Sequence, residues 1–265
     1  MKADSEQLIS RFLRCNDRAI CVDFDGTLSE IVENPEQADP VDGTAEILCE
    51  LARTFERVCV LSGRPVSFLL NKLEFPRQNV DHPVLYGLYG VEVWESNHLR
   101  SLADSATKCT IATARRMIEG LLHDNSLNEM LLVEDKILSV ALHYRSAPLL
   151  EDRVIEIVNS VAKSLDLEVR AGKMVVELVP KGCTDKASTL GRFCSGASAV
   201  CVIGDDIGDI GAFRELDTLT DLEVAIRVAV SGAQAPVELL DLADVVLASP
   251  IQVKEFLSKL LRMSN

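Results

Sequence analysis

No stretch of about twenty residues in this sequence is apolar enough to span a bilayer. The first residues, MKADSEQLISRFLRCND, lack the apolar core of a secretory signal. They read instead as a short amphipathic helix with Leu8, Ile9, Phe12 and Leu13 on one face. Together these absences predict a cytoplasmic protein. There is no C-x-x-C pair or zinc-like cluster among the eight cysteines, Cys15, Cys21, Cys49, Cys59, Cys109, Cys183, Cys194 and Cys201. Cys21, Cys59 and Cys201 lie inside apolar runs and read as small buried hydrophobes in a reducing compartment. No thiol has an activating base near it in sequence, which argues against a catalytic cysteine. Positive charge is also scarce: 27 Lys and Arg stand against 41 Asp and Glu, for a net charge of −14. Such a surface disfavours nucleic acid and anionic membranes as partners. It also means that a site for an anion must supply its own local positive charge.

What is present is an ordinary globular composition, 48% hydrophobic and 26% charged over 265 residues, enough for one large domain or two smaller ones. The runs RAICVDFDG, RVCVLSGRP, VLYGLYG and AVCVIGDD lack strict alternation, as parallel strands buried on both faces do. Helical patterns lie among them: TAEILCELARTF, VSFLLNKLEF, DKASTLGRFC and IGAFRELDTL. VAIRVAV and ADVVLAS add two short strands and QVKEFLSKLLRM a closing helix. This order predicts an α/β fold with a parallel sheet and right-handed crossovers. The middle of the chain reads differently. SATKCTIATARRMIEGLLHD and LEDRVIEIVNSVAKSLD are helices, each followed by a pair of strands: MLLVED with ILSVALHYR, and the two arms of LEVRAGKMVVELVP, turning at AGK. The prediction is an α+β insertion with an antiparallel sheet and two helices over residues 104–179, between core segments 1–103 and 180–265.

Ligands of an open parallel sheet bind at the carboxyl ends of its strands. Here those ends carry DFDGT, SGR and GDDIGD, and Lys186 opens a following helix. If the first strand stays extended, Asp23 and Asp25 point to the same side, and a divalent cation between them removes their repulsion. Oxygen ligands suit Mg²⁺, which keeps several waters and takes one or two carboxylates. Asp205, Asp206 and Asp209 bring further carboxylates to the same edge. A carboxylate is also a known nucleophile that forms an aspartyl-phosphate, and phosphoryl transfer needs its equatorial oxygens neutralised. Ser62, through its hydroxyl and N–H, and Lys186 fit that need; Gly26 and Thr27 let the loop backbone approach a phosphate.

DFDGT, SGRP, the lysine and GDDxxD, in this order, resemble the four motifs of the haloacid dehalogenase-like phosphatases. Within that superfamily the chain most resembles the trehalose-6-phosphate phosphatases, through DFDGTLSEIVENP, LSGRP, VEDKILSVALHYR and VVEL before the lysine. The resemblance implies a Rossmann-like catalytic core with an inserted cap domain that closes over the sugar. It implies Mg²⁺-dependent hydrolysis of a sugar phosphate, trehalose 6-phosphate first among candidates. Asp23 would be the nucleophile and Asp25 the general acid and then base. Asp23, the carbonyl of Asp25, and Asp205 would hold the metal, with Asp206 and Asp209 ordering its waters and Lys186. Ser62 and Lys186 would hold the phosphate, Gly63 and Arg64 are further substrate-binding candidates, and Glu134, Lys136 and Glu177 would bind sugar hydroxyls. The partner is then a small molecule, with no nucleic acid or membrane, and the protein a monomer or weak oligomer.

Departures from the family pattern are Gly208, Ile210 and Gly211 in the fourth motif, Tyr89 where the family often has histidine, and Ala187 in a loop one residue longer than usual. The last leaves Lys181 as the alternative to Lys186. His143 faces either the sugar or the surface, Trp94 is core or a strand-end platform, and Arg64 contacts substrate or serves the following helix start. Open alternatives for function are another sugar phosphate (glucosyl- or mannosyl-glycerate phosphate, or sucrose phosphate), a phosphomutase, and a non-catalytic sugar-phosphate sensor.

Overall fold

A computed structural model of the chain describes residues 3–32, 34–75, 81–101, 105–135, 138–172, 174–181, 184–232 and 235–264. The chain divides into two compact units: Met1–Arg100 with Thr184–Asn265, and Ser101–Cys183.

The first unit begins with α1 (Ala3–Arg14), β1 (Arg18–Val22), α2 (Thr44–Thr54), β2 (Arg57–Leu61) and α3 (Val66–Leu73). β3 (Val84–Gly87), β4 (Glu92–Glu95) and β5 (His98–Ser101) follow. The second unit holds α4 (Ser105–Asp124), β6 (Leu132–Asp135), β7 (Val140–His143), α5 (Glu151–Leu165), β8 (Leu167–Gly172) and β9 (Val175–Pro180). The chain then returns to the first unit with α6 (Lys186–Phe193), β10 (Ala199–Gly204), α7 (Ile207–Glu215), β11 (Val224–Val230), α8 (Val237–Leu242), β12 (Val245–Leu247) and α9 (Pro250–Ser264).

The larger sheet has eight strands in the order β12-β11-β10-β1-β2-β3-β4-β5. From β12 to β3 the pairs are parallel, and β4 runs antiparallel to β3. β1 is central, with Val22 opposite Ile203 on one side and Val60 on the other. It is buried on both faces, as its unbroken apolar run requires. Ile20 and Val22 pack with Ile9, Phe12, Leu48, Leu69 and α9. Ala19 and Cys21 pack with Leu190, Phe213 and Leu239 from the opposite helical layer. Each fully buried side chain of this size contributes about 1.5–3 kcal/mol. The β4–β5 hairpin and α8 were not anticipated: β5 is exposed along its length and α8 is under two turns, so neither has a hydrophobic period to read.

The second unit is a four-stranded antiparallel sheet, β6-β7-β9-β8, packed on α4 and α5. Val140, Leu142, Val176 and Leu178 meet Ile111, Ile118, Val154, Val158 and Val161 in one cluster. Side chains alternate across a strand, so the opposite face carries Glu134, Ala141, Glu177 and Arg170, aligned in one row by register. Ala171 and Gly172, expected at the turn, belong to β8, and Gly172 pairs with Val175; Lys173 lies outside the described residues.

Candidate active site

β1 stops at Val22, and the chain turns where an extended strand was expected. The carbonyl of Phe24 accepts from the N–H groups of Thr27, Leu28 and Ser29 at 3.3, 2.8 and 3.0 Å. Phe24 is fully buried, with its ring edge-on to Phe68 at 5.8 Å. Asp23 and Asp25, expected to share one cation, have different ionic partners in the described structure. Asp23 faces Lys186, with Oδ2 and Nζ 3.0 Å apart. Asp25 is held by Arg64 through both oxygens, Nε to Oδ2 and Nη2 to Oδ1, each 2.8 Å.

Two helix starts fix the remaining charges. Asp185 caps α6 in a reciprocal capping box with Ser188, which makes Lys186 the first helical residue. Asp206 caps α7 in the same manner with Asp209. Asp209 also accepts from the N–H groups of Asp205 and Asp206 at 3.1 and 3.2 Å. It lies against Gly204, where a Cβ would come within 2.2 Å of its carboxyl carbon. Lys186 Nζ then reaches Asp209 at 2.8 Å and Asp206 at 3.6 Å. The oxygens of Asp23, Asp206 and Asp209 that lie within 4.8 Å of one another therefore converge on an ammonium. Burial alone would lower the Lys186 pKa, but the three carboxylates outweigh it and hold the amine protonated, well above the ordinary lysine value. Lys181, the alternative, is exposed and pairs with Asp166.

Asp205 sits apart from that convergence. Its carboxylate lies against the backbone of Gly26, where a Cβ would be 2.0 Å from Oδ2, and Thr27 Oγ donates to Oδ1 at 3.3 Å. Burial, and the negative charges around it, push Asp205 up to about 7 and Asp23 up to about 8. Lys186 offsets only part of this on Asp23, and the carboxylates of Asp23, Asp206 and Asp209, within 4.8 Å of one another, are oxygen ligands of the kind a hard divalent cation takes. This acidic cluster fits a divalent metal.

Ser62 is buried at the end of β2, and its N–H is committed to the Tyr86 carbonyl at 2.9 Å, which leaves only the hydroxyl. That hydroxyl accepts from the Arg64 N–H at 3.1 Å. The GLYG segment is stitched to this loop. Leu88 N–H donates to the Arg64 carbonyl at 2.9 Å and Tyr89 N–H to the Ser62 carbonyl at 3.0 Å. Leu88 and Tyr89 both take left-handed backbone, φ 50° and 57°, at a cost of about 1–2 kcal/mol each. Gly63 leaves room for the Tyr89 ring, which a Cβ would approach to 2.7 Å. Ala187 and Gly211, both departures from the family pattern, face each other between α6 and α7, where a Cβ on Gly211 would rest 3.5 Å from that of Ala187.

In the second unit Glu134 pairs with His143 at 2.8 Å, and Ser139 donates to Glu177. Lys136 lies outside the described residues. Arg170 joins this row through strand register and Ser139 through its hydrogen bond to Glu177, links that the alternation of ILSVALHYR does not align. Trp94 is 8% exposed and stacks on Phe75 as part of the core. The seven described cysteines are unpaired by disulfides, and burial pushes the Cys21, Cys59 and Cys201 thiols up, away from the reactive thiolate.

The trehalose-phosphatase family model matches residues 21–244. The chain belongs to this family. It is 32% identical over 262 residues to a trehalose-phosphate phosphatase of Mycobacterium leprae, covering 92% of this chain and 57% of that protein. The chain thus spans a little over half the length of that relative. Its fold is similar to the C-terminal domain of a trehalose-6-phosphate phosphatase from C. albicans, with a TM-score of 0.76, 23% identity, and 97% and 96% of the two chains covered. It is also similar to a haloacid dehalogenase-like hydrolase from Bacteroides thetaiotaomicron, with a TM-score of 0.61, 17% identity, and 94% and 100% covered. The architecture is the haloacid dehalogenase-like α/β fold with a separate antiparallel α+β unit. Phosphatases of this fold generally use a divalent metal. No helix among the described residues is long and apolar enough to cross a membrane.

Proposed function

We propose that this protein is a Mg²⁺-dependent phosphatase that hydrolyses a sugar phosphate, trehalose 6-phosphate in the first instance, in two steps through phospho-Asp23. The observation that carries the reading is that the two motif carboxylates have different partners: one is buried beside a protonated lysine, the other held on a guanidinium. An Oδ of Asp23 attacks phosphorus, the bond from phosphorus to the sugar oxygen breaks, and Asp25 gives its proton to the departing oxygen. Water then attacks the phospho-Asp23 phosphorus and yields a proton to Asp25, releasing inorganic phosphate and restoring Asp23. Lys186 and the Ser62 hydroxyl hold the phosphoryl oxygens, with Gly63 and Arg64 beside them. Asp23, Asp205 and the Asp25 carbonyl would hold a divalent cation, which would supply positive charge that favours ionised Asp23 and offsets the phosphate. Asp206 and Asp209 fix Lys186 and would order the water of such an ion. In the inserted unit Glu134, Lys136 and Glu177 select the sugar through its hydroxyls. The protein acts in the cytoplasm as a monomer or weak oligomer on a small-molecule substrate.

The test is phosphate release from a panel of trehalose 6-phosphate, sucrose phosphate, glucosyl- and mannosyl-glycerate phosphates and p-nitrophenyl phosphate, with and without Mg²⁺. Preference for trehalose 6-phosphate is the expected result. Cleavage of all members at equal rates defeats the substrate assignment, and absence of free phosphate defeats the phosphatase reading.

A further inference from the structure

The grip on Asp25 is more constrained than an ion pair between two exposed side chains. Arg64 is 19% exposed at its side chain. Its guanidinium lies 4.5 Å over the Phe68 ring, and Nη2 also donates to the Pro35 carbonyl at 3.1 Å. Its backbone is tied on both sides, N–H to the Ser62 hydroxyl and carbonyl to Leu88 N–H. Phe68 in turn meets Phe24, the buried residue between Asp23 and Asp25. The same aromatic pair thus sets the path of the loop that carries Asp25 and the plane of the group that grips it. Lys72, 5.6 Å from the Phe68 ring, and its partner Asp39 also lie near this pair.

A planar guanidinium that meets both carboxylate oxygens fixes the carboxylate's orientation as well as its position. Only the carboxylate form can accept at both oxygens, because an oxygen that bears the proton is a poor acceptor. In the proposed reaction Asp25 is a carboxylate after it has protonated the sugar oxygen and before it takes the proton from water. We propose that Arg64 is the positioning residue for Asp25: it holds the carboxylate by two points between the half-reactions, aimed to take the proton from the attacking water, and keeps one point of contact when Asp25 carries the proton. This rests on the acid–base assignment of Asp25 and adds the group that controls it.

The experiment compares wild type, Asp25→Asn, Arg64→Gln and Arg64→Lys with p-nitrophenyl phosphate and Mg²⁺, whose leaving group needs no proton. Rapid mixing reads the burst of p-nitrophenol, and steady-state assays read kcat and KM. Without a positioned base, phospho-Asp23 forms and waits. Asp25→Asn should therefore release about one p-nitrophenol per active site in a burst and then turn over slowly, with kcat down about 100-fold or more. Arg64→Gln should show a burst of the same kind, with kcat down about tenfold and KM changed less than about threefold. Arg64→Lys, which restores the charge without the fork, should fall between Arg64→Gln and wild type. A raised KM with unchanged kcat in Arg64→Gln, or a lower kcat without a burst, overturns the proposal. A burst absent from Asp25→Asn as well overturns the acid–base assignment itself.

Discussion

At the strand ends of the eight-stranded sheet, Asp23, Lys186, Asp205 and Asp209 are between 2% and 6% exposed. On the four-stranded sheet, Glu134 and His143 keep 41% and 32% of their side-chain surface. The first set is fixed by helix caps and backbone N–H groups. Its ammonium is surrounded by carboxylates, and low dielectric makes each contact strong and each unpaired group costly. The second set is paired side chain to side chain across neighbouring strands, where exchanging one partner for another costs little. Bond-making chemistry gains from groups that do not reorganise; recognition of a hydroxylated ligand gains from groups that can trade partners.

That contrast can be broken from its rigid side first. Asp23→Asn should reduce kcat by about 1,000-fold or more on every phosphate substrate while leaving the far-UV spectrum unchanged. Residual turnover near wild type would remove Asp23 as nucleophile. Lys186→Met comes next. Asp23, Asp206 and Asp209 would then converge with no counter-charge, so activity should fall about 100-fold or more and stability by about 3–5 kcal/mol, read by urea unfolding. A variant as stable as wild type would mean that the carboxylates do not depend on the ammonium. In the second unit the effect should be smaller and selective. Glu177→Gln should raise KM for trehalose 6-phosphate about tenfold and leave p-nitrophenyl phosphate turnover within about twofold. Equal losses on both substrates would remove the sugar role.

The most gradual effect concerns pH without metal. Asp23 and Asp205 stand at about 8 and about 7 in the folded chain, raised from 3.8 chiefly by burial. Between about pH 4 and 8 the folded state holds protons that the unfolded chain has lost, so the contribution of these groups to stability falls as pH rises. In chelator the melting temperature should therefore decline across that window, and added Mg²⁺ should recover more of it at pH 8 than at pH 5. Asp23→Asn should flatten the slope, whereas Glu177→Gln should not change it. A melting temperature that rises from pH 5 to 8 in chelator would contradict this.

Much of the parallel sheet could be read because its runs are buried on both faces and end in polar residues; DFDGT, SGR and GDDIGD all stand where such runs stop. The two helix-plus-hairpin repeats of the second unit were legible from helical periods ending in strand patterns, and α4 matches the expected segment residue for residue. The partners of the carboxylates were not legible. Reading DFD as extended put Asp23 and Asp25 together, whereas the turn around Phe24 depends on a ring more than forty positions away, at Phe68. Ser62 was credited with a free N–H that the sheet in fact consumes. Ser139 and Arg170 needed the pairing of β7 with β9 and of β9 with β8, which no local pattern encodes.

Gly26 and Gly204 carry a consequence for how this protein can drift in sequence. Every single-base change in a glycine codon that replaces the glycine and keeps the chain intact adds at least a methyl group. At these two positions that methyl would occupy space already held by the carboxylates of Asp205 and Asp209, whereas at Gly120 nothing lies within 4 Å. Mutational descent can therefore replace Gly120 without a clash, but at Gly26 and Gly204 the first replacement in any direction displaces a charged group of the site.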